Sequence, residues 1–450
     1  MSTIKKGYLI PHPPLLVAGV GKGSEVSNTK NAIQKIAAEI AALNPETIVM
    51  ITPHGTSYSD YIHISPGTRA EGNMVKFGAA HVTFSVNYDN ELAELIGEIA
   101  TDEGLRAGPL GERDRSLDHG VTVPLHFINA KRIVRISIAG QSPLDHYRIG
   151  MCIAKAGAQL NRRLVIIASG DMSHKLKKDG PYGFATEGPE FDHIVRACVE
   201  KNQWQRLVQI NPDLAEAAAE CGHKSLVMLL GAFDGQKIEG QVLCYEGPFG
   251  VGYLTASFES INPAQSLLQS LLNSRDEILR QTRAQEDEYV TLARKAIEHF
   301  VRTGKTLANP KTLPSTRAGV FVSIKKDDNL RGCIGTAGPT TKSVAEEIIQ
   351  NAISACSRDN RFSPIGKDEL DDLVYSVDVL FPAEPIKNKS ELDVNRYGVI
   401  VRSGRRSGLL LPALTGVNTV DEQIGIALRK AGINPDENYT MGRFEVIRHK

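Results

Sequence analysis

The chain has 450 residues, 41% of them apolar and 23% charged, an ordinary globular balance whose length calls for two cores rather than one. Lysine plus arginine and aspartate plus glutamate stand at 52 each, which removes the electrostatic footprint of a nucleic-acid binder. No stretch reads as a signal peptide or a bilayer span, and the six cysteines lack any C-x-x-C, so a cytoplasmic protein with reduced thiols is expected.

Two strand-like runs near the start end in the same way. Gly7 to Ile10 runs into Pro11-His12-Pro13, and Thr47 to Thr52 runs into Pro53-His54-Gly55. Between and beyond them, Ile33, Ile36, Ala37 and Ile40 mark one helix face and Leu92, Leu95, Ile96 and Ile99 another. Further strand runs follow at Arg132 to Ala139 and Arg163 to Ser169, then a glycine-punctuated pattern around Glu246. This β/α alternation predicts an α/β domain over residues 1–260, with a largely buried central sheet. Residues 261–286 read as a partly helical linker. Residues 287–450 read as a smaller α+β domain, with a helix through Leu292, Ala296 and Phe300 and strands at Ala318 to Ile324 and Leu373 to Phe381. Ser343 and Glu346 have the capping-box spacing before a further amphipathic helix.

Ten of the twelve histidines fall in the first domain. His63, His81, His126, His146, His193 and His223 occupy apolar runs, helix positions or loop ends, where satisfied structural roles are the simpler reading. His12, His54 and His174 instead follow strand runs, and His119 lies in a loop signal before an apolar run. In open α/β sheets, loops from neighbouring strands converge at the carboxyl ends of the strands, so residues distant in sequence meet there. Several histidines at such exits point to a metal or acid–base site. Neutral imidazoles bind Zn, Fe, Ni or Cu, and two of them with one carboxylate favour Fe(II). Glu246, set in "CYEGPFGVGY", is the candidate carboxylate, against the alternatives of a capped turn or a buried ion pair. Cys244, two residues upstream, is a rival thiolate ligand.

Taken in order, "PHPP" at His12, "TPHG" at His54, "LDHGVTVPL" at His119, "SGDMSH" at His174 and "YEGPFGVGY" at Glu246 resemble the class III extradiol ring-cleavage dioxygenases. The similarity is to their LigB-like catalytic subunit. It implies a non-haem Fe(II) held by His12, His54 and Glu246, with positions left for O2 and a catecholic or aminophenolic ring. It also implies His174 as the acid–base residue and His119 as a second hydrogen-bonding histidine. Zinc is the alternative metal, with a hydrolytic rather than oxidative use of the same rim. The fold resembles Memo-type proteins as well, whose metal site differs.

"NLRGCIGTA" at Asn329 to Ala337, "SRDNRFSPI" around Asp359 and Arg361, and "GLLLPALTG" at Gly408 to Gly416 make the second domain similar to the AMMECR-type domain. No catalytic residue follows from that resemblance. Cys333 and Arg331 read either as nucleophile and anion anchor or as a thiol and charge in a glycine-allowed turn, and the latter is favoured for reactivity. Fusion of the two halves resembles the AmmeMemoRadiSam arrangement, which implies a radical SAM protein as partner. The alternative to ring cleavage is then a metal-binding or scaffolding protein acting with that partner. No membrane or nucleic-acid partner is expected, and a small aromatic molecule is the expected substrate.

Overall fold

A computed structural model describes residues 4–21, 24–111, 116–310, 313–327, 329–414, 417 and 419–450. The end of the "GLLLPALTG" stretch, residues 415 and 416, lies outside them. The chain divides into two compact units, residues 1–274 and 275–450.

The first unit is built on one sheet of six strands: β1 (Ile4–Ile10), β2 (Thr47–Thr52), β3 (Ile133–Ser137), β4 (Leu164–Ser169), β5 (Gln236–Glu246) and β6 (Tyr253–Pro263). Their order across the sheet is β3-β2-β4-β1-β6-β5. The first four run parallel, and the β5–β6 hairpin is added antiparallel at the edge beside β1. Every residue of β2, β3 and β4 is buried. That is why these strands read as continuous apolar runs rather than alternating ones: both faces are covered.

Alternate side chains feed two cores. Val49, Ile51, Ile166 and Ala168 pack with helices α2 (Asn90–Asp102), α4 (Pro143–Gln159), α5 (Glu187–Glu200) and α6 (His223–Gly231). Ile48, Met50, Val165 and Ile167 pack with Ile33, Ile36 and Ile40 of α1 (Ser27–Leu43) and with Val121 and Val123 of α3 (His119–Leu125). The loop expected at His119 is therefore a short helix, because the apolar run behind it lies across the sheet ends instead of extending the sheet. No helix among the described residues is long and apolar enough to cross a membrane.

The helix α7 (Leu268–Gln285) contains the division between the units. The second unit is α+β, with two four-stranded sheets. One has the order β8-β7-β9-β14, from β7 (Gly319–Lys326), β8 (Asn329–Gly335), β9 (Leu373–Leu380) and β14 (Val446–His449). The other has the order β10-β13-β11-β12, from β10 (Glu384–Ile386), β11 (Gly398–Ser403), β12 (Arg406–Leu410) and β13 (Thr440–Phe444). Helices α8 (Glu288–Thr303) and α9 (Val344–Ser357) share a core with the first of these sheets, and α10 (Val420–Ala431) with the second.

One buried carboxylate organises the end of β8. Glu347 of α9 is 1% exposed, yet it accepts from the hydroxyls of Thr336, Thr340 and Thr341 and from the amides of Thr340 and Thr341, all at 2.7–2.8 Å. Burial alone would raise its pKa, but these donors outweigh burial and hold the carboxyl below the ordinary glutamate value. A depressed carboxylate stabilises the fold above its unfolded pKa and loses that contribution as pH falls. Glu347→Gln keeps the shape but turns an NH2 toward hydrogen-bond donors. It should lower the stability of the second unit by about 2–4 kcal/mol and flatten its loss of stability below about pH 4.5, both read from chemical denaturation across pH.

Candidate metal centre

The parallel register sets the site. Ile10 of β1 pairs with Ser169 of β4, Ile51 of β2 with Ala168, and Thr52 with Ser137 of β3. His12 and His54 each lie two residues beyond these strand ends, so both rise from the same rim. His119 opens α3 across that rim. The ring nitrogens of His12, His54 and His119 all lie within 4.8 Å of one another, so the three can share one metal ion. Their rings sit 4.1–5.1 Å apart, with His54 and His119 stacked and His12 edge-on to both. Phe77 closes one side, edge-on to His119 at 5.5 Å.

Hydrogen bonds fix the tautomer of His12. The Ser169 hydroxyl donates to the Gly120 carbonyl at 2.6 Å, so its oxygen accepts from Nδ1–H of His12 at 2.9 Å. That leaves the His12 Nε2 lone pair aimed at His54 Nε2, 3.0 Å away. Two such nitrogens at that distance must share either a proton or a cation. Burial pushes both His12 and His119 down to about 3, with neighbouring imidazoles adding repulsion, and burial also lowers His54. The rings are held in the neutral form that binds metals.

The frame beneath is a buried ion pair. Asp118 precedes α3, and one of its oxygens lies 2.9 Å from the guanidinium of Arg135, which is fully buried on β3. The other oxygen accepts from the Thr52 hydroxyl at 2.7 Å, and the Thr52 oxygen in turn receives the His54 amide at 3.2 Å. Arg135 also donates to the Ser116 carbonyl at 2.9 Å. One charge pair thus ties the β3 strand to the loops that carry His54 and His119.

Glu246 is placed differently from the expectation. It ends β5 at the same edge of the sheet as His12, but β6 intervenes, and two strand spacings amount to about 10 Å. Its carboxylate accepts from the Thr29 amide at 2.8 Å and the Asn28 side chain at 3.3 Å, capping the first turn of α1. The group of potential ligands around His12 and His54 contains His119 and not Glu246. Cys244 lies beside the same helix start, 3.9 Å from the Thr29 hydroxyl, and takes no place in that group.

His174 follows β4, with its ring stacked on Tyr182 at 5.0 Å. Burial lowers its pKa and the charge of nearby Asp171 opposes that shift. Asp171 is itself buried and pushed up to about 6, and one of its oxygens accepts the His12 amide at 2.9 Å. Asp171 and Cys221 also stand at this rim. The Cys221 sulfur lies 3.7 Å from His12 Nε2 and accepts from the Asp171 amide at 3.3 Å. This approach depends on two glycines: a Cβ on Gly170 would stand 2.1 Å from the Gly222 Cα. Asp171 was legible within "SGDMSH"; Cys221, 47 residues beyond His174, carried no local signal.

In the second unit, Arg331 is committed to structure. It makes a two-pronged ion pair with Glu369 at 2.8 and 2.9 Å and donates to the Ser363 carbonyl at 2.8 Å. It is not free to anchor an anion.

Residues 6–256 match the family profile described as the catalytic LigB subunit of aromatic ring-opening dioxygenase, and residues 290–449 match AMMECR1. The chain belongs to the LigB family and carries an AMMECR1 domain after it. Protein CA_C1420 of Clostridium acetobutylicum shares the whole architecture, 42% identical over 461 residues and covering 98% of each chain. A Thermotoga maritima protein is 49% identical over 171 residues, 37% of this chain and 98% of its own. Among solved structures, PH0010 from Pyrococcus horikoshii is 34% identical, covers 37% of this chain and 90% of its own, and superposes with a TM-score of 0.35.

Within the LigB domain, a metal fits the converging neutral imidazoles. His12→Ala and His54→Ala should abolish binding of about one divalent ion per chain, measured by metal analysis after dialysis, whereas Glu246→Ala should retain the ion. Arg135→Met leaves the Asp118 charge buried without its partner. It should cost about 3–5 kcal/mol in denaturant-induced unfolding and weaken metal retention.

Proposed function

We propose that the LigB domain is a non-haem Fe(II)-dependent extradiol-type dioxygenase that opens a catecholic or aminophenolic ring with O2. The observation that carries this reading is the convergence of His12, His54 and His119 at the carboxyl edge of the sheet, with His174 within electrostatic range of His12 and His54, in a LigB-family domain. His12, His54 and His119 would hold the metal. When bound, Fe(II) would supply a redox-active Lewis acid that brings an aromatic diol and O2 together.

The protein's own groups do the rest. His174, neutral because it is buried, can take a phenolic proton at a ring nitrogen, and the Asp171 charge stabilises the imidazolium that results. The same histidine can return that proton as the ring opens. Tyr182 above His174 and Phe77 beside His119 offer flat apolar faces to an aromatic substrate. His12, pinned through Ser169 to Gly120, resists reorientation when a ligand enters.

One observation favours a second reading. The three convergent ligands include no carboxylate, and the Cys221 thiol stands beside His12, a softer donor set than two histidines and a carboxylate. Such a set suits a Memo/AMMECR-like metal-binding or scaffolding protein that acts with a radical SAM partner and does not cleave rings.

Oxygen uptake separates the two. Protein reconstituted anaerobically with Fe(II) and mixed with a panel of catechols and aminophenols should consume O2 and yield coloured ring-opened products. His174→Gln should slow turnover about a hundredfold or more with little change in catechol binding. Catechols that bind without O2 uptake, or retention of zinc or copper in preference to iron, would favour the second reading.

A further inference from the structure

A cleft lies within the first unit at the edge of the sheet opposite the candidate metal centre. β5 runs parallel to β1, since both are antiparallel to β6. Its last residue, Glu246, stands at the metal edge, and its first, Gln236, lies ten residues back, about 30 Å away at the rise of an extended strand. Around that start, a cleft of about 950 Å³ opens between β5, the end of α6 and the short helical turn Trp204–Val208. That size falls within the range of small-molecule sites. Leu230 and Phe233, each 1% exposed, and Ile238 give it an apolar lining. Trp204, the only tryptophan in the chain, forms a wall. Its indole N–H donates to the Ile238 carbonyl at 3.4 Å, and its ring meets Phe258 edge-on at 5.8 Å. A Cβ on Gly240 would stand 2.6 Å from the ring's outer edge, so the indole is fixed against β5 before anything binds.

Three kinds of polar group line the same cleft without being used up by the fold. Lys237 makes no hydrogen bond or ion pair among the described residues, and Arg206 donates to the neutral Gln203 side chain at 3.2 Å. Neither cation has a carboxylate within ion-pair distance among the described residues. Gln236 accepts from the Ser260 hydroxyl at 3.2 Å with its carbonyl, which leaves its NH2 as a donor. Asp234 is anchored on one side: a single oxygen takes both the Tyr147 hydroxyl at 2.7 Å and the Leu267 amide at 2.8 Å. Its other oxygen accepts nothing among the described residues.

We propose that this cleft binds a nucleoside phosphate. The base stacks on the Trp204 indole over the apolar lining, the free Asp234 oxygen accepts from a sugar hydroxyl, and Arg206 and Lys237 hold the phosphate. The Gln236 NH2 supplies one more donor to the ligand's acceptors. A simple aromatic carboxylate fits less well: it would meet the indole and the cations but bring no hydroxyl to Asp234, and would add a second negative charge beside it. An apolar ligand would leave all of these polar groups unmatched. The distance of about 30 Å along β5 makes this a binding site apart from the metal rim, so its occupant is not the molecule that meets the histidines.

Because Trp204 is the only tryptophan, indole emission reports on this cleft alone. The test titrates the full-length protein with AMP, GMP, CMP and UMP, follows that emission, and repeats each titration by calorimetry. At least one nucleotide should quench the emission saturably, with a Kd below about 1 mM. The matching nucleoside, which lacks the phosphate, should bind at least about tenfold more weakly. Lys237→Gln, a change at an exposed side chain, should weaken the nucleotide about fivefold and the nucleoside by less than about twofold. The proposal is overturned if none of the four nucleotides binds by either readout, or if nucleotide and nucleoside bind equally. Equal weakening of both by Lys237→Gln, or salicylate binding more tightly than every nucleotide, would overturn it as well.

Discussion

The candidate metal centre depends on one short relay, in which His12 Nδ1–H donates to Ser169 and Ser169 donates to the Gly120 carbonyl. Three pieces of chain far apart in sequence meet in it: the exit of β1, the end of β4 and the first turn of α3. It selects the His12 tautomer, orients its free nitrogen and places α3 so that His119 meets the other two rings. The Asp118–Arg135 pair performs the matching task for His54 through Thr52. Both devices are buried, so the imidazoles above them are held in place by hydrogen bonds that water does not contest.

Burial at this rim has a second consequence. It keeps the histidines neutral and raises Asp171, so the protonation state of each group is set by depth as well as by its neighbours. At His174, as at His54, burial lowers the ring while a nearby carboxylate charge supports its protonated form.

The two-domain order, the buried parallel strands and the histidines at the strand exits were all legible in the sequence. They follow from local rules: uninterrupted β-branched runs for strands buried on both faces, and proline or glycine where those runs stop. His119 was legible as a candidate site residue, but not its place beside His12 and His54. Its helix forms only because the apolar run of Val121 and Val123 packs under the sheet ends. Glu246 is ambiguous in the sequence because its setting, at the end of a strand among glycines and an aromatic, suits a ligand and a helix cap equally. Its carboxylate caps α1 in the structure, and no local pattern reveals that β6 lies between β5 and β1.

Cys221 shows the limit most clearly. Nothing in its neighbourhood distinguishes it from the other cysteines, and it reaches His12 only because Gly170 and Gly222 let two backbones touch. Period and punctuation along the chain determined which segments become strands and helices and which residues stand at their ends. The order of the strands and the close approach of distant loops decided which of those residues share a site, because such contacts are set by packing across the whole core.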